Sequence, residues 1–174
     1  MFPQTAHSIG AAIIGADGLV VDYILRMGCD IVSGRTGIVR EALKKDATHL
    51  LFVDSDMVFP KDVIPRLLAC DKDIVGVEYN RRRFPLEGTS EPLTEISKSD
   101  GLYQAKYCGT GLMLINLSIF KKEWKSPWFN FGRDKEGMLV IGEDAWFCRT
   151  ARDEGFETWI DPTLEVKHIG EYYF

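Results

Sequence analysis

The segment His49-Leu50-Leu51-Phe52-Val53 is an almost unbroken apolar run that stops abruptly at Asp54-Ser55-Asp56. A strand without polar alternation belongs in a sheet covered on both faces, which in a chain of this size means helices on either side. Flanking patterns agree. Ile38, Val39, Ala42 and Leu43 recur at helical spacing within Thr36 to Lys45, and a short helix is expected from Asp62 to Ala69, with Asp62 as N-cap and Pro65 in its first turn. Strands are expected at Val20 to Leu25, Asp73 to Tyr79, Gly109 to Asn116, Trp159-Ile160 and Leu164 to Val166. A further helix should run from Glu143 to Glu154 and stop at Gly155, and Arg81 to Asp100 reads as a long loop. The expected fold is a single α/β domain over residues 1–174, with a mostly parallel, mixed central sheet flanked by helices.

The 174 residues are 45% hydrophobic and 27% charged, enough to bury a core without disulfide or metal. A net charge of −5 argues against nucleic acid as the main partner, because phosphate backbones demand a basic face. Cys29, Cys70, Cys108 and Cys148 contain no Cys-x-x-Cys pair, so they are read as small buried hydrophobes in a reducing compartment rather than a zinc site. No basic leader precedes an apolar run, and Ile9 to Val21 carries Asp17 and falls short of the roughly 20 residues that span a bilayer. A cytoplasmic protein without an integral membrane segment is expected.

Three elements carry chemistry. Asp54 and Asp56 are two apart at the end of a buried strand, where alternate side chains share a face and two carboxylates suit a hard cation such as Mn²⁺ or Mg²⁺. The plainer reading is a strand end followed by a turn. Glu143 and Asp144 open a helix, where acidic residues also serve the macrodipole. His168 follows a short strand near the end of the sequence.

Together these segments resemble the GT-A family of nucleotide-sugar glycosyltransferases. The resemblance runs from Ser33 to Gly170 through Gly34-Arg35-Thr36, Leu51 to Met57, Gly109-Thr110-Gly111-Leu112, Gly142-Glu143-Asp144 with Phe147-Cys148, and Val166 to Gly170. It implies that Asp56 binds the metal, that Asp54 faces the ribose or a metal-bound water, that His168 is the late metal ligand, and that Asp144, beside Glu143, is the catalytic base. Arg35, Ser55 and Gly109 fall beside the nucleotide. Pro3 and Thr5 would lie in the base-binding loop, behind a first strand stunted to Met1-Phe2. The sequence ends six residues after His168, so a minimal catalytic core without a separate acceptor module is expected. The implied partners are a nucleotide-sugar donor, UDP-linked on family frequency, and a glycan or other hydroxyl acceptor.

Arg81-Arg82-Arg83 read as a solvated basic loop or, more sharply, as a flap over the diphosphate or a guide for an acidic acceptor. Trp124, Trp128, Phe129 and Phe131 read as packing, with Trp128 a possible platform for an acceptor sugar. Two other functions stay open: a haloacid-dehalogenase-like phosphotransferase with Asp54 as nucleophile, and a non-catalytic sugar-nucleotide or glycan-binding module.

Overall fold

The computed structural model describes residues 1–82, 85, 87–93, 98–99, 101–121 and 124–170, with only the backbone described at 98, 99 and 121. Part of the expected Arg81 to Asp100 loop, Arg83 included, lies outside the described residues. The helices are α1 (Pro3–Gly15), α2 (Ile31–Lys44), α3 (Val63–Ala69) and α4 (Glu143–Asp153). The strands are β1 (His49–Val53), β2 (Met57–Val58), β3 (Ile74–Val77), β4 (Glu91–Pro92), β5 (Lys98–Ser99), β6 (Leu102–Tyr107), β7 (Leu112–Asn116), β8 (Gly132–Arg133), β9 (Leu139–Ile141), β10 (Thr158–Asp161) and β11 (Lys167–His168).

The main sheet has the order β1-β7-β3-β10-β6-β4, with β5 also paired to β6. It is mixed, as expected, but not mostly parallel. Among the described residues only β3 and β10 pair in parallel, with Ile74 opposite Thr158 and Val77 opposite Asp161. β7 runs back between β1 and β3, and β6 runs back along β10. A reversed strand inserted between two co-directional neighbours replaces one parallel pairing by two antiparallel ones. β1, β3 and β10 still point the same way, so their carboxyl ends share one edge of the sheet.

Period-two alternation sends the strands' side chains to two cores. Ile74, Met113 and Ile115 pack with Val39 and Ala42 of α2 and Phe147 and Ala151 of α4. Val75, Leu112 and Leu114 pack with Ala12 of α1 and Val63 and Leu67 of α3. Trp124, Trp128 and Phe129 belong to the first core, so Trp128, buried with its Nε1 donating to the Trp124 carbonyl, is no sugar platform.

α2 starts earlier than its apolar spacing implies because Asp30 caps it, Oδ1 accepting from Ser33 N at 2.9 Å. Gly155 takes φ +89 just beyond α4, the left-handed conformation that stops it. Three expectations fail, the first being Leu164 to Val166, which forms no strand: the strand lies just beyond, at Lys167–His168, and includes His168. Residues 1–15 form no stunted strand and loop: Pro3 opens α1, where its missing N–H costs nothing. Val20 to Leu25 forms no strand. Its Asp22 pairs with Lys45, just past α2, at 2.7 Å, the following Arg26 pairs with Glu41 of α2 at 3.1 Å, and Val20, Tyr23 and Leu25 are exposed. Cysteine burial is also split: Cys108 and Cys148 are buried, Cys70 is half-buried and Cys29 is exposed.

Candidate active site

The carboxyl ends of β1 and β3 open into a cleft of 840 Å³. Crevices at such strand ends are the usual ligand sites of α/β sheets. Asp54, Glu143, Asp144, Arg35 and His168 line it together. Residues from four separate parts of the sequence meet there for reasons visible in the backbone.

β2 follows the Asp54-Ser55-Asp56 turn at once and pairs with β11, setting Met57 opposite His168. Ile169 N donates to the Asp56 carbonyl at 2.7 Å and fixes the register. His168 Nε2 therefore lies 3.4 Å from Asp56 Oδ2. The other ring nitrogen, Nδ1, sits 3.1 Å from the Asn80 carbonyl. A carbonyl only accepts, so this contact puts the proton on Nδ1 and leaves the Nε2 lone pair of a neutral ring facing a carboxylate oxygen. Two acceptors that face each other are satisfied by a cation between them or by a second ring proton. The Arg82 guanidinium supplies part of that positive charge, 3.0 Å from the same Oδ2. Asp56 Oδ1 is buried with no hydrogen-bond partner among the described residues. One carboxylate with an orphaned oxygen and one imidazole oriented by a carbonyl are a donor pair that would suit a divalent ion such as Mn²⁺ or Mg²⁺.

Asp54 does not join them. Among the described residues no three His, Cys, Asp or Glu side chains gather into a metal-binding group. Residues 55 and 56 form a turn rather than strand, so the two-residue alternation that would align both carboxylates is lost after Val53. Asp54 turns instead to Arg35, whose Nη2 is 3.5 Å from its Oδ1. Arg35, projecting from α2 and only 6% exposed, also donates to Glu143 Oε1. Arg35 thus clamps the end of β1 to the start of α4. Glu143, expected beside the base, is committed to this pair.

Asp144 faces the cleft with Oδ1 accepting from Ala145 N at 2.7 Å. Burial pushes its carboxyl above the usual aspartate range, and the neighbouring Glu143 charge adds to the shift against the opposing Ala145 hydrogen bond and Arg35. Such an acid is poised to take a proton.

Gly109, expected beside the nucleotide, serves packing here. A Cβ on it would run into Tyr79 Oη. Gly111 likewise admits Tyr79 and donates its N–H to Oη at 2.9 Å, while its carbonyl accepts from Asp54 N at 2.9 Å. The Tyr79 ring then meets the His168 ring edge-on, centroids 5.5 Å apart. Burial drives the Tyr79 phenol far above its ordinary pKa, so it remains a neutral prop. Pro3, Thr5 and Ser55 do not line the cleft. Ser55 is exposed and its carbonyl accepts from Phe2 N at 2.9 Å, which seats the start of α1 against the turn. Thr5 is buried in α1, which packs on α3 and β2. Residue patterns gave no sign of Tyr79, Asn80, Lys106, Arg149 or Arg152, since none belongs to a short motif.

No protein-family model and no curated protein matches the chain. Among solved structures it is similar to A197 from STIV, at 22% identity and a TM-score of 0.62, over 85% of this chain and 72% of that one. The likeness is one of fold. Among the described residues no helix is long and apolar enough to cross a membrane.

Proposed function

We propose that this protein is a metal-dependent glycosyltransferase of the GT-A type, moving a sugar from a nucleoside diphosphate, UDP by expectation, to an acceptor hydroxyl in the cytoplasm. The observation that carries the proposal is the approach of His168 Nε2 to Asp56 Oδ2 at 3.4 Å, next to a buried carboxylate oxygen that lacks a partner. A fold likeness at 22% identity is compatible with this reading and does not test it.

Asp56 and His168 would hold the Mn²⁺ or Mg²⁺. When bound, the ion would act as a Lewis acid on the departing diphosphate. Arg35 keeps Asp54 at the end of β1, where its half-exposed carboxylate faces the cleft to meet ribose hydroxyls. Arg82, freed from Asp56, offers a second positive charge to the phosphates. Asp144 keeps one oxygen on Ala145 N and offers the other to the acceptor hydroxyl. As the acceptor oxygen bonds to the anomeric carbon, its proton passes to Asp144. The carbon–oxygen bond to the diphosphate breaks, and both electrons leave with the nucleoside diphosphate. Fixed charge aimed at developing charge is commonly the largest catalytic contribution, so the Asp56 end should outweigh the base.

A thermal-shift panel of nucleoside diphosphates and their sugars, with and without Mn²⁺, tests the reading. Stabilisation by one nucleotide sugar that requires Mn²⁺ supports it. Metal-independent hydrolysis of simple phosphate esters would favour the Asp54 phosphotransferase instead, and binding without transfer or hydrolysis would favour a binding module.

A further inference from the structure

The cleft that holds Asp144 is also lined by basic side chains that the proposed function leaves unused. Ala145, Arg149 and Arg152 of α4 all line it, at the i, i+4, i+7 spacing of a single helix face. With a rise of about 1.5 Å per residue, Arg149 stands roughly 7.5 Å and Arg152 roughly 12 Å along the axis from Asp144. Lys106 of β6 lines the same cleft, its Nζ 2.6 Å from Glu91 Oε1. Arg152 Nη1 donates to the Lys106 carbonyl at 2.9 Å, which fixes one edge of the guanidinium and leaves the other free. Arg149 has no ion pair or hydrogen bond among the described residues. Among the described residues Lys106 is paired with Glu91, while no carboxylate pairs with Arg149 or Arg152, in a protein whose net charge is −5. Helix-dipole compensation accounts for Arg152 in the last turn of α4, but not for Arg149 a turn earlier or Lys106 on a strand.

We propose that the acceptor is anionic: a sugar bearing a carboxylate or phosphate on the ring that offers the reacting hydroxyl or on the adjoining ring. This rests on the glycosyltransferase reading above. The proposed function assigns the donor diphosphate to Asp56 and His168, which leaves the part of the cleft lined by Asp144, Arg149, Arg152 and Lys106 for the acceptor. With the hydroxyl at Asp144, the acidic group of such an acceptor reaches Arg149 and Arg152. Their charge-assisted hydrogen bonds hold the acceptor oxygen in line with the anomeric carbon. The hydroxyl proton goes to Asp144, the new glycosidic bond forms, and the nucleoside diphosphate departs with the electron pair of the broken bond.

The test compares binding of matched sugars to the full chain by ligand-observed NMR: glucose, glucuronic acid and glucose 6-phosphate, and the corresponding galactose series. In at least one series an acidic member should bind about tenfold tighter than its neutral parent at about 0.05 M salt, and the gap should shrink at about 0.5 M. The double variant R149Q/R152Q should bring the acidic-to-neutral ratio to about one. Should the double variant lose its fold on melting, the single Arg149→Gln exchange at an exposed position should still lower the ratio. Uronate and phosphate arms tell the two acidic groups apart. Equal binding of neutral and acidic members, or a preference that survives both exchanges, overturns the proposal. The comparison needs no donor, so a protein that prefers acidic sugars yet binds no nucleotide would lose the glycosyltransferase reading on separate grounds.

Discussion

Asp56 and His168 face each other at 3.4 Å because β2 and β11, two residues each, pair immediately after the turn that carries Asp56. That short ladder is what converts two remote positions into one site. The Nδ1 contact to Asn80 orients the ring so that Nε2 faces the carboxylate, where a cation or a second ring proton completes the contact. Removing either side chain should therefore abolish a metal response without unfolding the sheet. Asp56→Ala and His168→Ala are each expected to eliminate the Mn²⁺-dependent thermal shift and to lower transfer by about 10²–10³. Melting with and without Mn²⁺, beside turnover, checks this, and an Asp56→Ala protein with full Mn²⁺ response would reject the ligand role.

Arg82 competes for the same carboxylate oxygen at 3.0 Å. A bound divalent ion must displace that guanidinium or share Oδ2 with it against electrostatic repulsion. Arg82→Ala should consequently tighten Mn²⁺ binding to the free protein, while weakening the nucleoside diphosphate that Arg82 would otherwise meet. Calorimetric titration of Mn²⁺ alone and then of UDP in saturating Mn²⁺ measures the two effects, which should have opposite signs.

The layered α/β fold was legible because apolar runs and helical spacing reflect burial on both sides of the sheet. Asp56, Asp144 and His168 were legible because each stands at a strand or helix end. Asp54 was expected to share a face with Asp56, but the step from strand to turn after Val53, a backbone event that residue types do not announce, sends it to Arg35 instead. Val20 to Leu25 has strand composition, yet its Asp22 pairs with Lys45, just past α2, and the following Arg26 with Glu41 of α2. β6 went unseen because Tyr103, Gln104 and Lys106 interrupt its apolar positions. Tyr79 and Arg149 reach the site through tertiary packing alone.

Asp144 links catalysis and stability with opposite signs. Its carboxyl is raised above the ordinary value, first by burial. A base works only when ionised, so the acid limb of kcat/KM should lie above the usual carboxylate range of about 4. Asp144→Asn should remove that limb and lower transfer by about 10², less than the loss at Asp56. A raised native pKa means that Asp144 favours folding only below its unfolded value and that this contribution is lost as pH rises through the native value. The asparagine variant, which keeps an oxygen for Ala145 N, should therefore melt higher than the parent at neutral pH, with the difference closing below about pH 4. Melting curves across pH, beside kinetics, test both halves.

Arg35 stabilises by being shared. It is buried, and it pairs with Glu143, itself mostly covered, and with half-exposed Asp54. Arg35→Met leaves Glu143 without its partner, which should cost about 2–4 kcal/mol, below the worst case because water reaches Asp54. Arg35→Lys should recover part of the loss, since one ammonium cannot span both carboxylates as the guanidinium fork does. Urea unfolding gives the numbers. Equal stability of Arg35→Met and the parent would show that the clamp contributes nothing.

Gly111 and Tyr79 form the last coupling that the site depends on. A Cβ at Gly111 would lie 2.5 Å from Tyr79 Oη and 2.9 Å from its Cζ, so the ring must shift, and with it the edge-on contact to His168. Gly111→Ala should cost about 1–3 kcal/mol as an overpacked core position and weaken the Mn²⁺ response through the displaced imidazole. Tyr79→Phe removes only the bond from Gly111 N, worth about 1 kcal/mol, and should leave His168 in place. In the double variant the nearest clashing atom is gone while Cζ remains close. The combined loss should be smaller than the sum of the single losses, and part of the metal response should return. Additive losses in that double-mutant cycle would mean that the two residues act independently and that Tyr79 does not carry the strain to His168.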